Sequence, residues 1–275
     1  MLRSILSIVD TSPGSEAATT AALQLAQANG ARLGVTSMLD LFWAMRSGHQ
    51  PLVGLEIALE LDRITGLFEA QTEAVEQLVS KATALGVATA QIRTPRDPQP
   101  AFAVFSHAYD VVVIPQDAAF HLDVEPHVRD AAIRVCCQLV RPVLVVPPSP
   151  VSGAGVVLAY DGSASASRAM HISVLLELAL DPPVRVVSIR PDKQEARTLA
   201  DTGAALLRRH GAQAELIALE QSGHEGKQFL TLIEEIPPAR LVIGTTGHSA
   251  WRDALLGSTT RSLFQHARVP LLVGA

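Results

Sequence analysis

Cysteine is scarce in this sequence of 275 residues: Cys136 and Cys137 are the only two, and they are adjacent. Their placement in a helical stretch suits neither a structural disulfide nor a CxxC redox or zinc site. No apolar run reaches the length of about 18 residues that a membrane-spanning helix needs, because charged residues, Pro or Gly interrupt each candidate. The apolar segment 1–10 is too short for a signal core and ends in an acid. These features predict a cytoplasmic protein without a membrane segment.

Positive charge is also in short supply. The formal net charge is -5, the pI is near 6.0, and the basic residues do not cluster. The chain therefore has no cationic field that would attract nucleic acid or an anionic membrane. A GxxxxGK[ST] loop and a G-x-S-x-G elbow are both absent, which leaves a motor-like NTPase and a nucleophilic serine without support.

What the sequence does contain is a repeated alternation of short β-branched runs with longer Ala/Leu-rich segments of helical period. With 48% hydrophobic residues the chain can bury a substantial core. The alternation is typical of βα units that build a parallel sheet, so the fold class is α/β. The predicted strands of the first half are 3–9, 32–38, 87–93, 109–114 and 142–146. Those of the second half are 155–160, 184–189, 213–219, 240–243 and 270–273.

The two halves follow the same plan. Asp10 matches Asp161, and the equivalence continues through the later strands. A segment rich in Pro, Ser and Gly, 147–155, separates the halves and has the composition of an interdomain linker. We therefore predict two tandem domains, 1–149 and 153–275.

The most informative motif follows the fourth strand of the second half. Residues 244–259 read G-x2-G-x9-G-S-T, with glycines at 244, 247 and 257. Glycine lets a backbone approach a ligand closely, and Gly257 precedes a helix whose free N–H groups favour an anion. Ordinary loop glycines followed by a Ser/Thr helix cap would explain any one of these residues equally well.

The complete spacing resembles the ATP-binding signature of universal stress proteins, through Gly244, Gly247, Gly257 and Ser258. The resemblance covers nearly the whole chain as two copies. It implies two doubly wound domains, each a five-stranded parallel sheet of order 3-2-1-4-5 flanked by helices. In such a sheet the first and fourth strands meet where the strand order reverses, which is where ligands bind. Asp161 and the loop after Gly244 are therefore expected to face one crevice.

The resemblance also implies the ligand and its contacts. The ligand is an adenine nucleotide, most naturally ATP with or without Mg²⁺, and Asp161 contacts its adenine or ribose. A backbone contact to adenine maps onto Ile189 or Ser188; for Asp161, a turn former is the alternative. The implied binding residues are Asp161, Ile189, Ile243, Gly244, Thr246, Gly247, Gly257, Ser258, Thr259 and Thr260.

The first half departs from the signature. Pro115 stands where the second half has Gly244, and Arg129 and Asp130 stand at the positions of Gly257 and Ser258. Proline removes a donor, and a long or acidic side chain would fill or repel at the phosphate position. We therefore predict that the first half is a degenerate copy, kept for packing or for another ligand.

Three weaker signals are set aside. Residues 121–127 hold two histidines and two carboxylates that could ligate a metal, although a solvated loop is the simpler interpretation. His248 and Arg252 could approach phosphates, although exposed loop positions are the simpler interpretation. The segment 224–227 could suggest acid/base chemistry, but no nucleophile with an orienting partner accompanies it, and a surface turn is the simpler interpretation.

Three functions remain open. The first is a nucleotide-binding regulatory protein of the stress response that needs no catalytic residue. The second is an enzyme, either a slow ATPase or a nucleotide-transferring enzyme, although no positioned base or metal-binding carboxylate pair is evident. The third is a scaffold in which the halves replace a dimer by pairing their fifth strands. The chain could in addition form a homodimer.

Overall fold

Strands and helices alternate along the chain in the computed structural model, which describes residues 1–37, 55–92, 104–118, 131–245 and 257–274. The elements of the first half are β1 (Ser4–Val9), α1 (Ser15–Asn29), β2 (Arg32–Ser37), α2 (Leu55–Ala84), β3 (Thr89–Gln91), β4 (Val111–Pro115), α3 (Ala131–Gln138) and β5 (Val143–Val146). Those of the second half are β6 (Val156–Ala159), α4 (Ala164–Leu175), β7 (Val184–Arg190), α5 (Lys193–Arg209), β8 (Ala214–Glu220), α6 (Glu225–Glu235), β9 (Arg240–Gly244), α7 (Ser258–His266) and β10 (Leu271–Gly274). All the predicted strands are present, with ends that differ by no more than two residues.

The strands form one sheet of ten, in the order β3-β2-β1-β4-β5-β10-β9-β6-β7-β8. Within each half every pair is parallel, and the order is 3-2-1-4-5, as the resemblance implied. β5 and β10 pair antiparallel, with Leu144 opposite Leu272. The predicted contact between the fifth strands is therefore present, and it joins both halves into a continuous sheet.

The strand register repeats the internal equivalence that the sequence indicated. Ile5 pairs with Val111 in the first half, and Val156 pairs with Arg240 at the same point in the second. Each half therefore brings the carboxyl ends of its first and fourth strands together at the reversal of strand order.

The central strands are buried on both faces. Every residue of β4 and β5 is buried, because helices cover the sheet on each side. Alternate residues of a strand enter different apolar layers: Ile5 and Val9 pack in one layer, and Leu6 and Ile8 pack in the other. Both layers draw residues from both halves and so continue across the junction.

Tyr109 closes the opposite end of the first-half sheet. A Cβ at Gly34 would lie 2.2 Å from its phenol oxygen, so the ring occupies the space that this glycine leaves. Burial raises the pKa of Tyr109 above its ordinary value, while the positive charge of Arg32 acts in the opposite direction.

Among the described helices, none is both long enough and apolar enough to cross a membrane.

Candidate functional site

The carboxyl ends of β6 and β9 open onto a cavity of about 240 Å³. This is the point at which the strand order of the second half reverses, since β6 lies between β9 and β7. Its walls come from the turn after β6, the end of β9 and the first turns of three helices. The lining residues are Ala159, Tyr160, Asp161, Ser163, Ser165, Ala166, Glu225, Phe229, Ile243, Gly244, Gly257, Ser258, Thr259, Thr260 and Leu263.

The N-terminus of α7 forms one wall. Gly257 is its N-cap residue and has extended backbone angles, φ -59° and ψ 154°. Because glycine has no side chain, it contributes no capping oxygen to the N–H groups of the first turn, which lack intrahelical acceptors. A Cβ at Gly257 would meet no atom within 4 Å, so the space in front of this residue is open.

Hydroxyl groups of the first turn anchor α7 to its neighbours. Thr260 Oγ1 donates to the carbonyl oxygen of Gly244 at 3.2 Å, and Thr259 Oγ1 donates to Glu225 Oε2 at 3.1 Å. Ser258 is exposed. The helix start is therefore tied to β9 on one side and to α6 on the other.

The neighbouring helix, α4, begins differently. Ser163 is the N-cap residue of this helix, and its Oγ accepts a hydrogen bond from the N–H of Ala166 at 3.1 Å. The N-terminus of α4 therefore has an internal acceptor.

Asp161 lies in a firmly held turn between β6 and α4. Its Oδ1 accepts from the N–H of Ser163 at 2.9 Å, and the side chain of Arg190 donates to its backbone carbonyl. Gly162 has φ +77°, a left-handed conformation that glycine adopts without strain. The carboxylate is thereby fixed at the edge of the cavity, as expected from the end of the first strand.

Gly244 has a different role from the one that its motif suggested. A Cβ there would lie 2.7 Å from the nitrogen of Ala166 and 2.8 Å from Ser165 Oγ. The missing side chain therefore admits the first turn of α4 against β9, so the close approach that requires glycine is between protein segments.

The first half has an equivalent contact between β4 and the start of α1, but there the larger residue is on the strand and the glycine is at the helix. Pro115 replaces Gly244, and Gly14 stands where the second half has Ser165. A Cβ at Gly14 would lie 3.3 Å from the Pro115 Cβ and 2.2 Å from Asp117 Oδ1. The Pro115 substitution is thus accommodated by packing at the start of α1.

Asp117 occupies the N-terminus of α1 in the first half. Its two carboxylate oxygens accept from the N–H of Gly14 at 3.1 and 3.2 Å. A helix N-terminus favours an anion, and here the chain supplies its own. Arg129 and Asp130, which the sequence comparison set against Gly257 and Ser258, lie outside the described residues.

The structure brings most of the predicted binding residues together. Those that line the cavity are Asp161, Ile243, Gly244, Gly257, Ser258, Thr259 and Thr260. Ile189 is buried in β7 and does not line it. Thr246 and Gly247 lie outside the described residues, as do His248, Arg252 and the segment 121–127.

Glu225 is a lining residue that the sequence analysis assigned to a surface turn. It is the first residue of α6, and Gly226 beside it allows α6 to approach α7: a Cβ at Gly226 would lie 2.7 Å from the Cβ of Ser262. A glycine in the first turn of a helix is a signal of such close packing and could have pointed to this side chain. Across the described ranges, no group of three or more metal-ligating side chains occurs.

Comparison with known proteins agrees with this architecture. Residues 155–273 match the model of the universal stress protein family. A universal stress protein from Synechocystis sp. is 26% identical over 166 residues, which are 60% of this chain and 57% of the relative, so the match spans little more than half of that protein.

Two solved structures share the fold over almost the entire chain. A universal stress protein from Archaeoglobus fulgidus DSM 4304 has a TM-score of 0.67 at 19% identity, covering 98% of this chain and 95% of its own. A functionally unknown protein from Pseudomonas aeruginosa PAO1 has a TM-score of 0.58 at 14% identity, covering 99% and 92%.

Proposed function

We propose that the chain is a regulatory protein of the stress response that binds an adenine nucleotide, ATP, in its C-terminal half, the half in which residues 155–273 match the universal stress protein family. The observation that carries the proposal is the start of α7. Its first turn has no capping side chain at Gly257 and opens onto a cavity that Asp161 also lines.

The phosphates would lie at the N-terminus of α7. The backbone N–H groups and the positive end of the helix dipole favour an anion there, and Ser258 adds a hydroxyl donor. The cavity, at about 240 Å³, lies below the range of roughly 300–1,000 Å³ that is usual for small-molecule pockets. It would therefore hold one part of the nucleotide while the remainder extends past Asp161, whose carboxylate can accept hydrogen bonds from ribose hydroxyls.

The electrostatics of the cavity favour a nucleotide that carries Mg²⁺. Asp161 and Glu225 both line the cavity, and two carboxylates oppose a free triphosphate by like-charge repulsion. Mg²⁺ is commonly held by one or two carboxylates together with substrate phosphates. We therefore expect ATP to bind more tightly with Mg²⁺ than without it.

A regulatory role needs no catalytic group. Ligand bound to the folded state stabilises it by mass action, by about 2.7 kcal/mol at 100 times the dissociation constant. Different affinities for two conformations are sufficient to switch the protein between them. In this proposal residues 1–149 and 153–275 act as an intramolecular pseudo-dimer in the cytoplasm, with the nucleotide only in the second.

The test is a calorimetric titration of the full chain with Mg·ATP, in the wild type and in Gly257→Arg. We expect one nucleotide per wild-type chain and none in the variant, because the new side chain would fill the open space before α7. Gly66→Arg is the matched control, since it adds the same side chain at another open glycine, on α2.

Two results would contradict the proposal. The first is a wild type that neither binds nor is thermally stabilised at millimolar ATP, with or without Mg²⁺. The second is a Gly257→Arg variant that binds like the control. A stoichiometry of two equivalent sites would instead refute the restriction to the second half.

A further inference from the structure

Gln116, the first residue after β4 in the first half, reaches across the junction into the second half. Its Nε2 donates to the carbonyl oxygen of Phe264 at 2.5 Å and to that of Ala267 at 3.2 Å. Its own backbone N–H donates to the carbonyl oxygen of Val146 at 2.8 Å, so the main chain is held at the end of β5. The side chain thus extends from a fixed base.

Both acceptors belong to the C-terminal end of α7. The carbonyls of the last turn of a helix have no intrahelical partner, and Gln116 supplies a donor for this end. With nine residues α7 is about 14 Å long at about 1.5 Å per residue, so the amide acts at the opposite end of the helix from Gly257. The same short helix is held at its start by the bond from Thr260 to Gly244.

The second half has no glutamine at the position equivalent to Gln116. Pro115 corresponds to Gly244, so Gln116 corresponds to Thr245 in the second half. Threonine has a shorter side chain and lacks an amide. The half with the intact motif therefore receives this support from the degenerate half.

We propose that Gln116 is a positioning residue through which the first half sets the nucleotide affinity of the second. The inference rests on the proposed function. Gln116 keeps α7 seated so that its N-terminus faces Asp161 across the cavity. Without the hydrogen bonds from Gln116, only a fraction of the chains would hold α7 in the binding position. The apparent affinity for the nucleotide would fall in proportion to that fraction.

The experiment compares Mg·ATP binding by the full-length wild type, Gln116→Ala, Gln116→Glu and Gln116→Lys, at a temperature where circular dichroism shows all of them folded. Gln116→Ala removes both hydrogen bonds from Nε2, and we expect it to weaken binding at least about threefold, a loss of the size that a single amide–carbonyl hydrogen bond contributes. Gln116→Glu should weaken it further, because a carboxylate cannot donate and is repelled by the negative end of the helix. Gln116→Lys keeps a donor and should bind within about twofold of the wild type.

Gln221→Ala is the matched control. The amide of Gln221 also donates to a backbone carbonyl, that of Gly223 at 3.1 Å, but it does not contact α7. Its loss should leave ATP affinity unchanged. A second readout is amide hydrogen exchange of residues 258–266 in the ligand-free chain, which should be faster in Gln116→Ala and unchanged in the control.

The outcomes separate the two proposals. If the wild type binds Mg·ATP and Gln116→Ala binds it equally well, Gln116 has no positioning role, although the proposed function stands. If the wild type binds no nucleotide, the proposed function fails. Hydrogen exchange then tests Gln116 independently of binding. Unchanged protection of α7 in Gln116→Ala would show that Gln116 does not hold this helix in place.

Discussion

Gly244→Ala should destabilise the chain even when no nucleotide is present. The new Cβ would stand 2.7 Å from the nitrogen of Ala166 and 2.7 Å from the carbonyl carbon of Ser165, whereas ordinary contacts begin at 3.4 Å. The two segments must therefore separate by about 0.7 Å. Because these two atoms belong to the backbone of α4, rotation of a side chain cannot relieve the contact.

The expected loss in the free energy of unfolding is about 1–3 kcal/mol, the usual range for an overpacked core position. Urea unfolding followed by circular dichroism, in the absence of ATP, measures it directly. Gly257→Ser serves as the control, since a side chain there enters open space and serine is a favourable N-cap residue, so no loss is expected.

This prediction separates two explanations of one glycine. If Gly244 is required only for approach to a ligand, Gly244→Ala will match the wild type in urea and differ only in ATP affinity. That result would refute the packing explanation, and so would an equal loss of stability in Gly257→Ser.

Three further measurements test other parts of the molecule. Asp161→Ala should reduce ATP affinity more than Asp10→Ala in calorimetry, and equal reductions would mean that the first half also binds. Leu271→Asp buries a carboxylate in the β5–β10 junction and should lower the urea midpoint far more than Leu175→Asp at an exposed leucine; similar midpoints would show that the junction adds little stability. Burial raises the pKa of Tyr109, so the folded state holds the phenol proton more tightly than the unfolded state does. The resulting contribution to the free energy of unfolding is present below pH about 10 and is lost as the pH rises through the folded-state pKa. Stability should therefore fall more steeply above that pH in the wild type than in Tyr109→Phe, and parallel curves would contradict this.

The strands could be predicted from sequence because their pattern is local. A buried parallel strand such as Val111–Pro115 is a continuous apolar run, and helical segments separate it from the next strand. Strand order is different, since it depends on crossovers that no short window encodes. It came from the family resemblance, and the structure confirms it.

The site was only partly predictable for the same reason. Asp161 and the start of α7 could be placed together because the ends of parallel strands share one edge of the sheet. Gly244 was interpreted through its motif, and its contact with α4 depends on a distance between segments far apart in the chain. Gln116 gave no local signal, because an amide that caps a helix of the other half looks like any polar residue after a strand.

The antiparallel pairing of β5 with β10 has a consequence for how the two halves can diverge. Because a single polypeptide contains both halves, their association does not depend on protein concentration. Neither half has to bind a separate partner chain. Each copy of the chain contains one half of each kind in a fixed orientation. A substitution in one half therefore always meets the same counterpart, so features such as Asp117 at α1 and Gly257 at α7 can specialise separately within one molecule.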